Sequence, residues 1–348
     1  MKQKRHKTIK VKIGELEIGG NAPVRVESMV NVSPYNPAEI IKQINELEKA
    51  GCELVRITLP DEKSTEYISN IKKNTRIPIM GDIHFDYKIA VKAIENGIDA
   101  LRLNPGNIRD KNKLKEVVKR VKDKNMVVRI GVNSGSINRS KYKEVTPDAM
   151  VDSAFEHIEL FEAYNFTNII VSLKATDVLT TIESYKKFIK LRNYPLHIGI
   201  TEAGTQFTGS IKSSVGLGIL LYEGIGDTLR VSLSGDPVVE VIVGYKILQS
   251  LRLREHGIEV IACPTCGRAE IDVEKIALEI EKRSADIEKN IKVAVLGCIV
   301  NGLGEAGDAD VGIAGTKNES ILFKNGKIIK KVKNSELIDE LLKLIREL

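Results

Sequence analysis

Between residues 24 and 254, short runs rich in Val, Ile and Leu alternate eight times with stretches whose apolar residues recur at three- and four-residue spacing. The runs predict strands over 24–29, 54–59, 78–83, 100–104, 127–132, 169–174, 196–201 and 227–234. The periodic stretches predict helices near 37–50, 63–73, 86–96, 110–124, 147–164, 176–192, 211–223 and 237–254. Strictly alternating strand and helix commits a chain to parallel pairing, because a parallel neighbour is reached only by a crossover. Eight such units over about 230 residues have the length and order of a closed (β/α)8 TIM barrel. An open doubly wound sheet is the alternative, since strand order is not written in the sequence.

A short alternating segment, Thr8 to Ile18, precedes the barrel and reads as a hairpin. After Arg254-Glu-His-Gly257 the pattern changes to that of a small α+β domain. Its expected elements are strands at 258–262, 292–296 and 311–314, a helix at 272–284, a hairpin turning at Asn325-Gly326 between 321–323 and 327–332, and a last helix at 335–347. The expected domains are residues 1–255 and 256–348.

Composition excludes several function classes. No run approaches the roughly 20 apolar residues of a membrane span, and the basic start Met1-Lys-Gln-Lys-Arg-His-Lys7 leads into alternating residues rather than a signal-peptide core, so the cytoplasm is expected. A net charge of +6, no Trp, 5% aromatic residues and lysines scattered over helices argue against a nucleic-acid surface. The excess positive charge suits an acidic substrate or an acidic redox partner.

Four cysteines in 348 residues do not make a disulfide framework; they read as metal ligands or core. Cys52 sits at a helix-to-strand junction, where a small buried thiol is ordinary. The other three stand in Cys263-Pro-Thr-Cys266 and Gly297-Cys298, with Asn301-Gly-Leu-Gly-Glu305 placing a carboxylate seven positions past the last thiol. Structural zinc and iron–sulfur clusters both take four donors, so three thiolates point to a centre completed by oxygen or left open to substrate. Gly302-Leu-Gly-Glu-Ala-Gly307 matches the dinucleotide pattern, but no long helix can open on Asp308-Ala-Asp-Val-Gly-Ile, so that reading is rejected.

The barrel strands carry a second constellation. In Val55-Arg56-Ile57-Thr58, Leu101-Arg102-Leu103-Asn104, Val128-Arg129-Ile130-Gly131 and Leu229-Arg230-Val231-Ser232, apolar residues alternate with Arg and small polar ones. Period two sends the apolar set toward the helices and the Arg set toward the barrel axis, with Asp82/His84 and Ser172/Lys174 in the same alternation. Four inward guanidinium groups are costly unless they meet anions, and a diphosphate suits their planar forks. The alternative is internal pairing with Asp82, Glu202 and similar acids. The strand-end loops Asn104-Pro-Gly-Asn107, Gly131-Val-Asn-Ser-Gly-Ser136 and Ser232-Leu-Ser-Gly-Asp-Pro237 are rich in the residues of anion nests and helix caps. Glu202 closes a strand at this face, where a carboxylate would handle a proton or a hydroxyl. His84 is a further candidate, and His197 reads as a hydrogen-bonded core residue. His157 reads as lying on a helix face, and His6 and His256 as solvent-exposed.

The chain resembles, from end to end, the bacterial two-domain form of the 4-hydroxy-3-methylbut-2-enyl diphosphate synthase family, iron–sulfur enzymes of the non-mevalonate isoprenoid pathway. The resemblance rests on Gly81-Asp-Ile-His-Phe-Asp86, Leu101-Arg-Leu-Asn-Pro-Gly-Asn107, Arg129-Ile-Gly-Val-Asn133, Gly199-Ile-Thr-Glu-Ala-Gly204, Gly224-Ile-Gly-Asp-Thr-Leu-Arg-Val-Ser232, Ala262-Cys-Pro-Thr-Cys266 and Gly297-Cys-Ile-Val-Asn-Gly302. It implies reductive opening and dehydration of 2-C-methyl-D-erythritol 2,4-cyclodiphosphate, with two electrons from reduced flavodoxin or ferredoxin. It also implies that Cys263, Cys266 and Cys298 hold three irons of a [4Fe–4S] cluster in the small domain, with Glu305 as the displaceable fourth ligand. Arg56, Arg102, Arg129, Asn133, Lys174 and Ser232 match the family's diphosphate-binding set, and Asp82 and Glu202 its essential barrel carboxylates. His84, Asn104 and Arg230 are grouped with the substrate-binding residues. A homodimer is implied too, each cluster domain capping the partner's barrel, and the short link near 254–257 points the same way.

The sequence departs from the family pattern at Val30, at Asn301-Gly-Leu-Gly304 and at Thr205-Gln-Phe-Thr208. Two other functions are weighed against this one: a phospho-sugar lyase with a structural zinc domain, and a zinc-ribbon nucleic-acid binder, for which a second Cys/His pair is missing.

Overall fold

A computed structural model of the chain describes residues 4–83, 86–103, 111–300 and 307–348. It divides into two compact units, Met1–Arg254 and Glu255–Leu348. Among the described residues no helix is long and apolar enough to cross a membrane.

The first unit opens with an antiparallel hairpin of β1 (Val11–Ile13) and β2 (Leu16–Ile18). Eight parallel strands follow: β3 (Arg25–Met29), β4 (Leu54–Thr58), β5 (Ile79–Ile83), β6 (Ala100–Leu103), β7 (Val127–Asn133), β8 (Ile169–Lys174), β9 (His197–Ile198) and β10 (Thr228–Leu229). Each pairs with its neighbour in sequence, β10 pairs back onto β3, and a parallel bridge from Val171 to Leu196 joins β8 to β9. The ring is therefore closed, which decides against the open sheet.

The outer layer is α1 (Pro37–Lys49), α2 (Glu62–Thr65), α3 (Ile68–Lys73), α4 (Tyr87–Glu95), α5 (Lys111–Asp123), α6 (Pro147–Glu162), α7 (Val178–Phe188), α8 (Gln206–Tyr222) and α9 (Pro237–Ser250). Asn36, Thr146 and Asp236 cap α1, α6 and α9, each followed by proline at the first helical position, where a missing N–H costs nothing. The helix expected over 63–73 is two helices. Ser64 and Thr65 turn their hydroxyls back onto the carbonyls of Asp61 and Glu62, competing with continuation of the helix. The helix expected from 211 starts a turn earlier, at Gln206, because its first turn, Gln206-Phe-Thr-Gly209, offers no apolar periodicity to read. The strands expected at 196–201 and 227–234 pair only over two residues each.

The barrel interior is layered. At the amino end, Leu54, Met80, Ala100, Val127 and Ile170 form an apolar floor closed by Val11, Ile13 and Ile18 of the hairpin. One step further along the same strands, the inward positions are Arg56, Asp82, Arg102, Arg129 and Ser172. The alternate residues, Val55, Ile57, Leu101, Leu103, Val128 and Ile130, pack outward against the helices.

In the second unit, β11 (Ile258–Ala262), β12 (Ile291–Leu296) and β13 (Val311–Ala314) are parallel, and β14 (Glu319–Lys324) and β15 (Lys327–Lys333) extend the sheet antiparallel. α10 (Val273–Arg283) and the C-terminal helix Leu337–Arg346 share one apolar core with one face of this sheet, through Val273, Ile276, Ile280, Leu337, Leu341 and Ile345. The mixed sheet and two helices make an α+β unit.

Candidate active site

The charged layer of the barrel is built by register. Neighbouring strands align Asp82 with Arg102 and Arg102 with Arg129, so charged side chains of adjacent strands share one level. Asp82 lies 3.1 Å from Arg102 and 3.4 Å from Arg56. Arg129 grips Glu27 of β3 with both terminal nitrogens, at 2.5 and 2.8 Å, and both residues are almost wholly buried. Arg230 holds Glu240 of α9 through Nε and Nη2, at 3.1 and 3.2 Å, and Glu240 also accepts from Ser28 Oγ and the Leu233 N–H. The Met29 sulfur sits between Arg56 and Arg230, 3.1 and 3.6 Å from their nearest nitrogens.

Internal pairing is thus more extensive than the sequence implied: Asp82 pairs with Arg56 and Arg102 as that alternative had it, and two further acids join it. Glu202 forms none of these ion pairs; Glu27 and Glu240 take that role. Glu27 was legible, since Arg25-Val-Glu-Ser-Met29 follows the same period-two alternation. Glu240 was not, because helical periodicity does not say which strand a polar residue on a helix will face. Among the described residues of the layer the basic groups still outnumber the acids: Arg56, Arg102, Arg129 and Arg230, with Lys174 beside them, stand against Glu27, Asp82 and Glu240. Burial in this company drives the Arg56 pKa down to about 10, the neighbouring Arg230, Arg102 and Arg129 adding to the fall while Asp82 opposes it, and Arg56 remains a cation at neutral pH. Burial likewise pushes Lys174 well below the ordinary lysine range. Burial would raise Glu27, but Arg129 and His197 hold it well below the usual carboxylate value.

Two glycines make room for the layer. A Cβ at Gly131 would stand 2.7 Å from Arg102 Nε, and one at Gly199 would stand 2.6 Å from Lys174 Nζ. Asn133 ends β7 half-buried, its N–H donating to Ser136 Oγ, and Ser232 is half-buried beyond β10. Glu202 is exposed in a turn beyond β9 with a left-handed backbone, φ 51°, a conformation uncommon for a non-glycine residue. His84, the Asn104–Asn107 loop and Glu305 lie outside the described residues.

In the second unit, Cys263 follows β11 directly and Cys298 comes two residues after β12, its parallel neighbour. The Cys263 N–H donates to the Val295 carbonyl, and its sulfur accepts the Gly297 N–H at 3.1 Å, so the first thiol is held against the backbone that leads into the third. Cys266 is exposed, and hydrogen bonding by the Arg268 backbone and then its side chain lowers its pKa. Among the described residues no three Cys, His, Asp or Glu side chains are gathered to hold a metal ion. The donor chemistry nevertheless suits a sulfur-preferring centre, since two thiols leave adjacent strand ends and one already receives a peptide hydrogen bond. Cys52, by contrast, is a core thiol, buried and bonded to the Leu54 carbonyl, its pKa pushed up to about 12 by burial.

Comparison with known proteins agrees with this division. The family model described as the GcpE TIM-barrel domain matches residues 8–245, and that of the GcpE protein C-terminal domain matches 259–347. A relative from Caldanaerobacter subterraneus subsp. tengcongensis is 51% identical over 344 residues, covering 98% of this chain and 97% of its own. One from Clostridium acetobutylicum is 52% identical over 344 residues, covering 98% and 99%. Both are named 4-hydroxy-3-methylbut-2-en-1-yl diphosphate synthase (flavodoxin). Among solved structures, dihydropteroate synthase from Xanthomonas albilineans superposes with a TM-score of 0.53 over 71% of this chain and 99% of its own, at 14% identity, a likeness of fold alone. Matched in both of its units, and identical at about half of its positions to relatives of nearly the same length, the chain belongs to the GcpE family.

Proposed function

We propose that the chain is a 4-hydroxy-3-methylbut-2-enyl diphosphate synthase. It opens the ring of 2-C-methyl-D-erythritol 2,4-cyclodiphosphate, taking up two electrons and two protons and releasing water, with reduced flavodoxin or ferredoxin as electron donor. The observation that carries this reading is the barrel's charged layer, in which, among the described residues, arginines and a lysine outnumber the carboxylates, as suits a diphosphate. The relatives' shared name supports it.

Arg56, Arg102, Lys174 and Arg230, with Arg129, Asn133, Ser232, His84 and Asn104, bind and orient the diphosphate. Asp82 holds Arg56 and Arg102 in register until the anion arrives. Glu202, whose strained turn projects beyond β9, handles a substrate hydroxyl or the proton that the leaving oxygen needs. Cys263, Cys266 and Cys298, with Glu305, would hold a [4Fe–4S] cluster, which when bound supplies single electrons to the substrate. The enzyme is cytoplasmic.

We also infer a homodimer in which two chains complete each site. Arg254 donates to the Val24 carbonyl and pairs with Glu53, both at the amino ends of barrel strands, so the chain leaves the barrel at the face opposite the strand ends that carry Glu202. A second copy would supply its cluster unit to the Glu202 face, opposite this exit. The test of the function is turnover of the cyclic diphosphate by anaerobically purified protein with reduced flavodoxin, alongside iron and sulfide analysis. Brown protein with about four irons per chain and product formation is expected. Colourless, zinc-loaded, inactive protein after cluster reconstitution overturns the reading.

A further inference from the structure

A line of buried polar groups crosses the barrel from β3 to β8. Lys174 Nζ lies 2.8 Å from His197 Nε2, and His197 Nδ1 lies 2.8 Å from Thr228 Oγ1 and 3.4 Å from Glu27 Oε1. Lys174 is 6% exposed, His197 1%, Glu27 2% and Thr228 0%, so water does not supply these bonds. The Glu27 carboxylate can only accept, so the proton between it and Nδ1 belongs to the imidazole, and Nε2 is left as the acceptor facing Lys174. The imidazole is therefore the Nδ1–H tautomer, its proton facing the Thr228 hydroxyl and the Glu27 carboxylate. Glu27 is in turn fixed by the two bonds from Arg129. The missing Cβ of Gly199 leaves the space that Lys174 Nζ occupies.

We propose that His197 is a positioning residue of the anion site: backed by Glu27 and Thr228, it holds the Lys174 ammonium through Nε2 and leaves two of its protons for a phosphate. This rests on the reading of Lys174 as a diphosphate ligand. The charges facing Lys174 explain why it needs such a partner. Arg56 from β4, Arg230 beyond β10 and Arg129 from β7 all oppose its protonation, and Glu27 from β3 favours it, while burial lowers its pKa most of all. The neutral acceptor keeps the ammonium where like charges and burial would strip its proton.

The test is calorimetric titration of the full-length chain with inorganic diphosphate at several pH values between neutral and mildly alkaline. Lys174→Gln is expected to weaken binding about tenfold, and His197→Phe by a similar factor, each by losing one charge-assisted contact. The double variant should bind no more weakly than Lys174→Gln alone, and His197→Gln, whose side-chain oxygen can accept in place of Nε2, should recover most of the affinity. In His197→Phe the alkaline loss of affinity should begin at lower pH than in the wild type, and in Lys174→Gln that loss should vanish. A role in packing alone would give additive losses and an unmoved pH profile, which overturns the proposal, as does full affinity in a folded His197→Phe. Unchanged affinity in Lys174→Gln overturns both the proposal and the diphosphate reading of Lys174, a different result from failure of His197 alone. If His197→Phe does not fold, His197→Gln against His197→Asn, which is too short to reach Lys174, gives the same contrast.

Discussion

At the scale of single residues, the barrel shows how little space separates a structural group from a functional one. Gly131 lets Arg102 lie across the strand beside it, and a Cβ there would collide with Arg102 Nε. Gly131→Ala is expected to weaken diphosphate binding about fivefold by displacing that guanidinium, with a melting temperature close to the wild type, as calorimetry beside thermal melts would read. His157 is a different case: it lies on a helix, as the sequence reads, on the buried face of α6, and among the described residues its Nδ1 has no hydrogen-bond partner. Burial lowers its pKa from 6.5 to about 4. The unfolded chain therefore binds a proton between those values that the folded chain refuses, and stability falls as pH drops through that window. The cost reaches roughly 3 kcal/mol at the acid end, since each pH unit crossed between the two values removes about 1.4 kcal/mol. His157→Leu should flatten the dependence of urea midpoints on pH from 6.5 to 4, and an unchanged slope would assign the acid sensitivity elsewhere.

At the scale of elements, α8 leaves one face unpacked. Gly209, Ser213, Gly216, Leu217 and Leu220 face the barrel, while Phe207, Ile211, Val215, Ile219 and Tyr222 run along its outer side, Phe207 78% and Tyr222 67% exposed. An apolar stripe this long on a helix suits contact with another copy of the chain. Phe207→Lys together with Ile211→Lys is expected to shift the proposed dimer to monomer in sedimentation or light scattering, with the barrel still folded; a dimer unaffected by both changes would place the interface elsewhere.

What could be read from the sequence divides along the same lines. Strands β3 to β8 announce themselves because an inward polar set alternates with an outward apolar one, and the same alternation located Arg56, Asp82, Arg102, Arg129 and Lys174. The closing strands were overextended because their apolar runs continue past the two residues that pair, and Gly199 and Gly226 do not mark where pairing stops. The acids that balance the arginines were half hidden, Glu27 within a readable strand and Glu240 on a helix whose facing strand only the closed ring decides.

At the scale of the whole molecule, the proposed function assigns substrate binding to one unit and electron delivery to the other, and the proposed dimer makes each site depend on two chains. Arg56→Ala and Cys298→Ala chains should each be inactive alone. Mixed under conditions that exchange subunits, they should recover activity, since one site of each mixed dimer carries both intact halves; failure to recover despite proven mixed dimers would mean that each chain closes its own site.

The apolar floor beneath the charged layer has a consequence for how such a chain can change over generations. Val11, Ile13, Ile18, Leu54 and Met80 consolidate one end of the ring without touching the chemistry at the other. Replacements among the inward residues one level above would alter what is bound while the foundation keeps the ring shut. A barrel so divided separates what keeps it folded from what it binds, so one architecture can carry different reactions. Innovation in such a lineage is confined to a single stratum of side chains, and the strata below it are free to drift only as far as their packing allows.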